Sequence, residues 1–235
     1  MNVAFDPWIP VVTATGERRL ASLSAVLTEG ETFADLAVRP HERVSLMRLF
    51  ICVAHGALKG PKDYGEWLEV PKRLPQTAQT YLMEWRDSFE LFHKEKPWLQ
   101  VADIRKTSAG DSSKAGTADW TPVSKLNFAF ATGNNSTLFD HAGLSETRDI
   151  LLAETVLSML TFQCFSPGGL ISQVYWNGVQ TGKSSKDAPC VPASMIHAFL
   201  RGSNLLTTIS LNLPTYEDVA MSYGKRPIGR PLWEC

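Results

Sequence analysis

Paired cysteines, a surplus of basic charge and a long apolar run are all missing from this 235-residue sequence. Its cysteines, Cys52, Cys164, Cys190 and Cys235, include no Cys-x-x-Cys pair. A structural zinc knuckle is therefore not signalled. Scattered single cysteines point to a reducing cytosol and to buried, inert thiols. His41, His55, His93 and His197 are scattered in the same way, without ligand spacing, so no metal site is expected. Lys and Arg number 23 against 24 Asp and Glu, a formal net charge of −1, with a pI near 6.5. A free-standing nucleic-acid binder normally carries a strong basic excess. Any nucleic-acid contact must then be local. No 18-residue apolar run is present, so no membrane helix is expected. Met1 to Asp6 lacks the basic region and apolar core of a signal peptide, and a cytoplasmic location is expected. No internal repeat is visible.

What is present suits an ordinary globular chain. Hydrophobic residues make up 44% and charged residues 20%, which argues against general disorder. The length suffices for one large domain or two small ones. Residues 3–12 alternate but hold two prolines, the pattern of an edge strand. Thr15-Gly16 predicts a turn and Arg18 to Ser22 a returning strand. Ser22 is placed to cap a short helix ending at Gly30. Val44, Met47, Phe50, Ile51, Val53, Ala54 and Leu58 follow helical spacing, and Gly60-Pro61 ends that helix. Tyr81, Trp85, Phe89 and Phe92 predict a second amphipathic helix over about 76–95, its stripe packed in the core. Ser145 is placed to cap a helix running through Ile150, Leu151, Val156, Leu157, Met159 and Leu160 to Pro167. Pro192 predicts the start of a short helix ended by Gly202. Leu205 to Leu213 alternates with Thr and Ser, as a strand does. The fold class expected is α+β, a mixed globular domain with few strands and several amphipathic helices, not doubly wound. Flexible loops are expected at about 106–120, 131–143 and 177–189.

The most informative stretch is Gly133-Asn134-Asn135-Ser136-Thr137-Leu138-Phe139-Asp140-His141, just after the aromatic run Asn127-Phe128-Ala129-Phe130. Six of those nine residues carry hydrogen-bonding side chains and none is Lys or Arg. The Gly-Asn-Asn start favours a turn, and an Asn amide offers the paired donor and acceptor that a base edge needs. A well-capped surface turn is the plainer reading. Asn177 to Ser185 imitates a phosphate-binding loop. However, the position of its first glycine holds Asn177, and Ser-Ser-Lys-Asp-Ala-Pro opens no helix. Lys183 and Lys186 remain possible phosphate contacts. Asp140 and His141 are adjacent in a loop without a partnered nucleophile. No enzyme and no cofactor are expected.

Taken in order, the opening Phe5-Asp6-Pro7-Trp8-Ile9-Pro10-Val11, then Lys96-Pro97-Trp98-Leu99-Gln100, the Gly133 to His141 loop and Phe165-Ser166-Pro167-Gly168-Gly169 resemble a known family. It is the large subunit of the type I-E CRISPR surveillance complex Cascade. The likeness runs along essentially the whole chain, whose 235 residues would form the N-terminal globular domain of a longer protein with a C-terminal helical bundle. The resemblance implies a non-catalytic subunit. It would help recognise the protospacer-adjacent motif (PAM) of double-stranded DNA, promote target binding and strand separation, and help recruit the helicase-nuclease. Other Cascade subunits and the guide RNA are the implied partners. Carried over by position, the DNA-binding residues are Phe130, Asn134, Asn135, Gly168 and Gly169, with Phe128 competing with Phe130. Glycines there let backbone approach a duplex, and an aromatic ring can stack or wedge. Some members carry a zinc-binding Cys-x-x-Cys after the loop. Leu138-Phe139-Asp140-His141 stands here instead, so no metal is carried over. A rival reading is a structural docking module of a ribonucleoprotein without direct DNA contact, anchored by Trp8, Trp98 and Trp233.

Overall fold

The computed structural model describes residues 1–106, 122–130, 149–171, 173–185, 187–191, 196–224 and 228–235. They fall into two units, Met1–Gln100 with Ile196–Cys235, and Val101–Met195. The class is α+β: seven helices among the described residues, with sheets of two or three short strands.

In the first unit, β1 (Ile9–Thr13), β2 (Arg18–Ala21) and β3 (Phe33–Leu36) form an antiparallel sheet in the order β2-β1-β3. Val11 pairs with Arg19 on one side and Leu36 on the other. The opening strand is thus central, not the edge its prolines suggested. Pro10 lacks a donor, but its carbonyl still accepts from the Ala37 N–H at 2.9 Å. One lost donor is tolerable where both neighbouring strands are short. Gly16 (φ +85°) makes the expected turn.

Helix α1 (Leu23–Thr28) starts where Ser22 Oγ accepts from Ala25 N at 3.0 Å. Helix α2 (Pro40–Leu58) has Pro40 in its first turn, and Glu42 accepts from Arg39 N at 2.8 Å. Its buried face holds Val44, Met47, Phe50, Val53, Ala54 and Leu58. Lys59, in the left-handed region (φ +52°), closes it before Gly60-Pro61. A short α3 (Tyr64–Leu68) is capped by Asp63. Helix α4 (Val70–Glu84) packs on α2 and α1. A Cβ on Gly56 would lie 2.6 Å from Tyr81 Oη, so only glycine lets the two helices meet there.

The helix expected over 76–95 is therefore shifted. It begins at Val70, contains Pro71 and Pro75, and stops before Trp85; Arg86–Phe89 is a 3-10 turn. Pro71 stands in the first turn, where its missing donor is not used, but Pro75 lies inside the helix and removes one intrahelical donor; the two prolines together misplaced the start. Tyr81 and Phe89 are core residues, while Phe92 is exposed.

The second unit holds β4 (Arg105–Lys106), α5 (Leu152–Phe165), β5 (Leu170–Ile171), β6 (Val174–Trp176), β7 (Val179–Gln180) and β8 (Ser184–Ser185). Strands β4-β6-β7 form one antiparallel sheet and β5-β8 another. Helix α5 buries Val156, Leu157, Met159, Leu160 and Cys164. It begins later than expected: Ile150 and Leu151 precede it, and Ser145 lies outside the described residues. The loop expected at 177–189 holds β7 and β8. Asn177 (φ +49°) and Gly178 (φ +75°) make the two-residue tip of a β6–β7 hairpin, the Asn-Gly signature of a type I′ turn. The expected loops at 106–120 and 131–143 lie outside the described residues, apart from Lys106.

Back in the first unit, residues 196–202 are not helical, and 192–195 lie outside the described residues. The strand expected over Leu205–Leu213 is instead helix α6 (Leu205–Leu211). Asn204 Oδ1 accepts from Thr207 N at 2.8 Å. Thr208 and Ser210 donate to the Asn204 and Leu206 carbonyls four residues back. Those bonds satisfy, inside a helix, the hydroxyls that gave the stretch its strand-like alternation. A Cβ on Gly30 would sit 2.9 Å from Leu206 N, so α6 rests against a glycine. Helix α7 (Tyr216–Tyr223) follows with a Thr215–Asp218 capping box and no buried residue.

The three tryptophans offered as exposed anchors are core. Trp8 Nε1 donates to Val3 O at 2.8 Å, and its ring meets Trp98 at 6.4 Å. Trp233 packs 5.2 Å from Phe89, and its Nε1 donates to Tyr81 Oη at 2.7 Å. The Tyr81 hydroxyl in turn donates to Glu234.

Candidate nucleic-acid interface

Both candidate segments that fall among the described residues gather at the C-terminal end of α5. The Phe128 ring stacks on Phe162 in that helix, 5.7 Å between centroids and 16° between planes. The turn around it is built by Asn127, whose Oδ1 accepts from Ala129 N at 3.0 Å and whose carbonyl accepts from Phe130 N at 3.1 Å. Phe128, though partly exposed, is thus held against α5, and the half-buried Phe130 closes the same turn. Four residues after Phe162, about one helical turn or ~6 Å, α5 ends at Ser166, whose N–H donates to Phe162 O at 2.7 Å. The exposed Gly168 and Gly169 follow directly.

The glycine pair is flanked by paired residues. Leu170 pairs with Ser185 and Ile171 with Ser184, and Ala188 N donates to Ser166 O at 3.3 Å. That register sets Asp187 against Gly168, where an added Cβ would run into the carboxylate. A side chain at 168 would need the exposed Asp187 carboxylate to turn aside. Gly169 differs: a Cβ there meets nothing within 4 Å, and its φ is outside the left-handed region. Neither backbone strain nor a described neighbour requires glycine at 169.

Lys183 is exposed and sits just before β8, at the end of the ladder away from Gly168. A strand follows it, not a helix, so the Asn177 to Ser185 segment lacks the helix N-terminus that a phosphate-binding loop needs. Asn134, Asn135, Asp140 and His141 lie outside the described residues, as does Lys186. Sequence reasoning missed Asp187, for which no local pattern gives a signal; only the β5–β8 pairing brings it to Gly168. It also missed the β6–β7 hairpin, whose Asn177-Gly178 signal was present.

Among the described residues, no three His, Cys, Asp or Glu side chains converge as a metal site. Cys164 and Cys190 are buried and joined by a backbone bond of 2.9 Å. Burial pushes the half-buried Cys52 thiol up, and the nearby Glu234 adds to this. Cys235 is exposed, unlike the buried thiols expected. No described helix is long and apolar enough to cross a membrane.

Residues 2–234 match the family model described as CRISPR-associated protein Cse1. A CRISPR-associated protein CasA/Cse1 of Thermus thermophilus is 35% identical over 240 residues, spanning 99% of this chain and 42% of its own. The crystal structure of Thermus thermophilus CasA superimposes with a TM-score of 0.70 at 31% identity, over 100% of this chain and 42% of that one. A chain of a CRISPR RNA-guided surveillance complex shares the fold, with a TM-score of 0.69 at 18% identity, covering 100% of this chain and 46% of that one. The chain therefore spans less than half the length of these relatives.

Proposed function

The chain belongs to the CRISPR-associated Cse1 family, and we propose that it is the DNA-facing N-terminal part of the large subunit of an RNA-guided surveillance complex of the Cascade type. In that role it is non-catalytic and cytoplasmic. It docks on other Cascade subunits and near the guide RNA, helps recognise the PAM of double-stranded DNA, promotes strand separation and helps recruit the helicase-nuclease. The division of labour is one in which protein reads a short motif and guide pairing reads the sequence, as in another CRISPR effector.

Gly169 carries the reading. Its missing side chain serves no described contact of this chain. Backbone at that point is open to close approach by a partner, and main-chain groups can bond to minor-groove acceptors. The minor-groove pattern is degenerate, which suits a reader tolerating several motifs. Near-neutral net charge is compatible with this, because neighbouring subunits can supply the phosphate-binding field. The docking-module reading loses the anchors it named, since Trp8, Trp98 and Trp233 are spent on the chain's own core.

The test is reconstitution. Guide-loaded Cascade lacking its large subunit is mixed with this chain, or with a version extended past Cys235, and binding to duplexes with correct and scrambled PAM is measured. The extended form is expected to restore PAM-dependent binding. Gly169→Asp should weaken it while sparing assembly, because a carboxylate then faces the phosphates. Gly168→Asp is a poorer probe, since it also meets Asp187. Phe130→Ala should reduce duplex binding more than binding to pre-opened DNA. Normal PAM-dependent affinity in Gly169→Asp would remove the glycine segment from the proposal.

A further inference from the structure

Hairpin β6–β7 is exposed on both faces. Tyr175 is 43%, Trp176 47% and Val179 68% exposed, and Arg105 and Gln180 are exposed as well. Directly opposed residues of an antiparallel sheet point to the same face. Arg105 pairs with Tyr175 and Tyr175 with Gln180, so the three form one row across the sheet. Strands lie about 4.8 Å apart, which sets a guanidinium, a phenol ring and a carboxamide side by side. Trp176 and Val179, also paired, occupy the reverse face. The Asn177-Gly178 tip, with both φ angles positive, fixes the Tyr175–Gln180 register.

We propose that the Arg105–Tyr175–Gln180 row binds an unpaired DNA strand, with Tyr175 as the stacking platform, Arg105 on the phosphate backbone and Gln180 on a base edge. The row holds one permanent cation, one aromatic and one amide, and no acid. Those are the groups that single-stranded nucleic acid recognition combines: base stacking on aromatics and a cation tracking the backbone. A protein-binding face is more often apolar at its centre, and here the apolar pair lies on the other side. The source of the strand follows from continuity, and rests on the reading of Gly169 as duplex-facing. Only Leu170 to Gln173 separate Gly169 from β6, so Tyr175 lies within about 20 Å of it along the chain. A strand parted from a duplex held at Gly169 emerges within reach of the row.

The experiment uses the 235-residue chain and fluorescein-labelled 12-mers of one mixed sequence as single-stranded DNA, single-stranded RNA and duplex DNA, followed by anisotropy over a salt series. Expected for the wild type is salt-dependent binding of single-stranded DNA at least as tight as of RNA, and tighter than of the duplex. Tyr175→Ala should weaken it about tenfold and Tyr175→Phe little, because stacking needs the ring and not the hydroxyl. Arg105→Gln should reduce the slope of log affinity against log salt by about 1. Trp176→Ala and Val179→Thr, on the reverse face, should leave binding intact; circular dichroism and a thermal melt check that every variant is folded. Absence of single-strand binding, a folded Tyr175→Ala that binds like the wild type, equal losses from the reverse-face variants, or a marked preference for RNA would each overturn the proposal. Failure of the duplex reading shows elsewhere, as PAM-dependent affinity unchanged by Gly169→Asp in the assembled complex. Loss of stacking in the free chain does not depend on that result.

Discussion

Tyr81 is the residue on which several elements close. Its hydroxyl accepts from Trp233 Nε1 and donates to Glu234, and it lies over Gly56. Burial, then the Glu234 hydrogen bond, push its pKa far above the ordinary phenol value. Tyr81→Phe leaves the buried indole N–H without its acceptor, which typically costs about 1–3 kcal/mol. Urea unfolding followed by tryptophan fluorescence should show a lower midpoint with an unchanged slope. Gly56→Ala should be at least as damaging, since the new Cβ and the Tyr81 ring compete for one place. His55 gives a pH signature. It is buried beside Tyr216, ring centroids 5.9 Å apart, and burial lowers its pKa, only partly offset by the Pro214 carbonyl. Above about pH 6.5 it is neutral folded or unfolded and costs nothing. As the pH falls below that, the unfolded chain takes up the proton first, so stability declines until the lower folded pKa is passed. His55→Leu should flatten this decline, by at most ~1.4 kcal/mol per pH unit. Asp35 acts at lower pH. Burial alone would raise its pKa, but hydrogen bonds from Arg43 and Leu36 N–H and the charges of Arg43 and Arg201 outweigh that. Its contribution is present above the ordinary carboxylate range and is lost on further acidification.

At the scale of elements, capping was legible at Ser22 and not at Asp63, Asn204 or Thr215. The Ser22 cap was readable because a cap is a local bond between near neighbours, whereas Pro192 opened no helix among the described residues and α5 starts after Leu151, not at Ser145. Helix α6 shows the limit. Its Thr and Ser residues imitate strand alternation, and burial of Leu205, Leu206 and Ile209 against β3 and the Gly30–Thr32 turn decides for the helix. Asn204→Ala should lower stability by about 0.5–2 kcal/mol through loss of the cap, and Asn204→Ser should restore most of it, as read from thermal unfolding. Hairpin β6–β7 was legible in Asn177-Gly178 but was absorbed into a loop because its strands have only two or three residues. The central place of β1 was not legible at all, since Pro10 marks an edge unless the partner strands are known.

For the whole molecule, near-zero net charge means that an isolated chain has no long-range pull on nucleic acid. Binding by the free chain should therefore be weak and local, and on the proposed role it should steepen in the assembled complex. Salt series on the free chain and on the reconstituted complex test this: a slope no larger in the complex would place all phosphate contacts on this chain. The family likeness extends over residues 2–234, yet these cover less than half of the relatives' length. The PAM response proposed for the family role is accordingly tested on the reconstituted complex and not on the free chain.

Sequence by itself determined the α+β class, the Ser22 cap, the Thr15-Gly16 turn and the family, because each of these is carried by near neighbours or by order along the chain. It named Gly168 and Gly169 together, and only tertiary structure separated them. Pairing of β5 with β8 sets Asp187 against Gly168 and leaves Gly169 open. The same holds for Trp8, Trp98 and Trp233, whose exposure depends on what packs over them, and for the Arg105–Tyr175–Gln180 row. Its members lie up to 75 residues apart, and only strand register makes them neighbours.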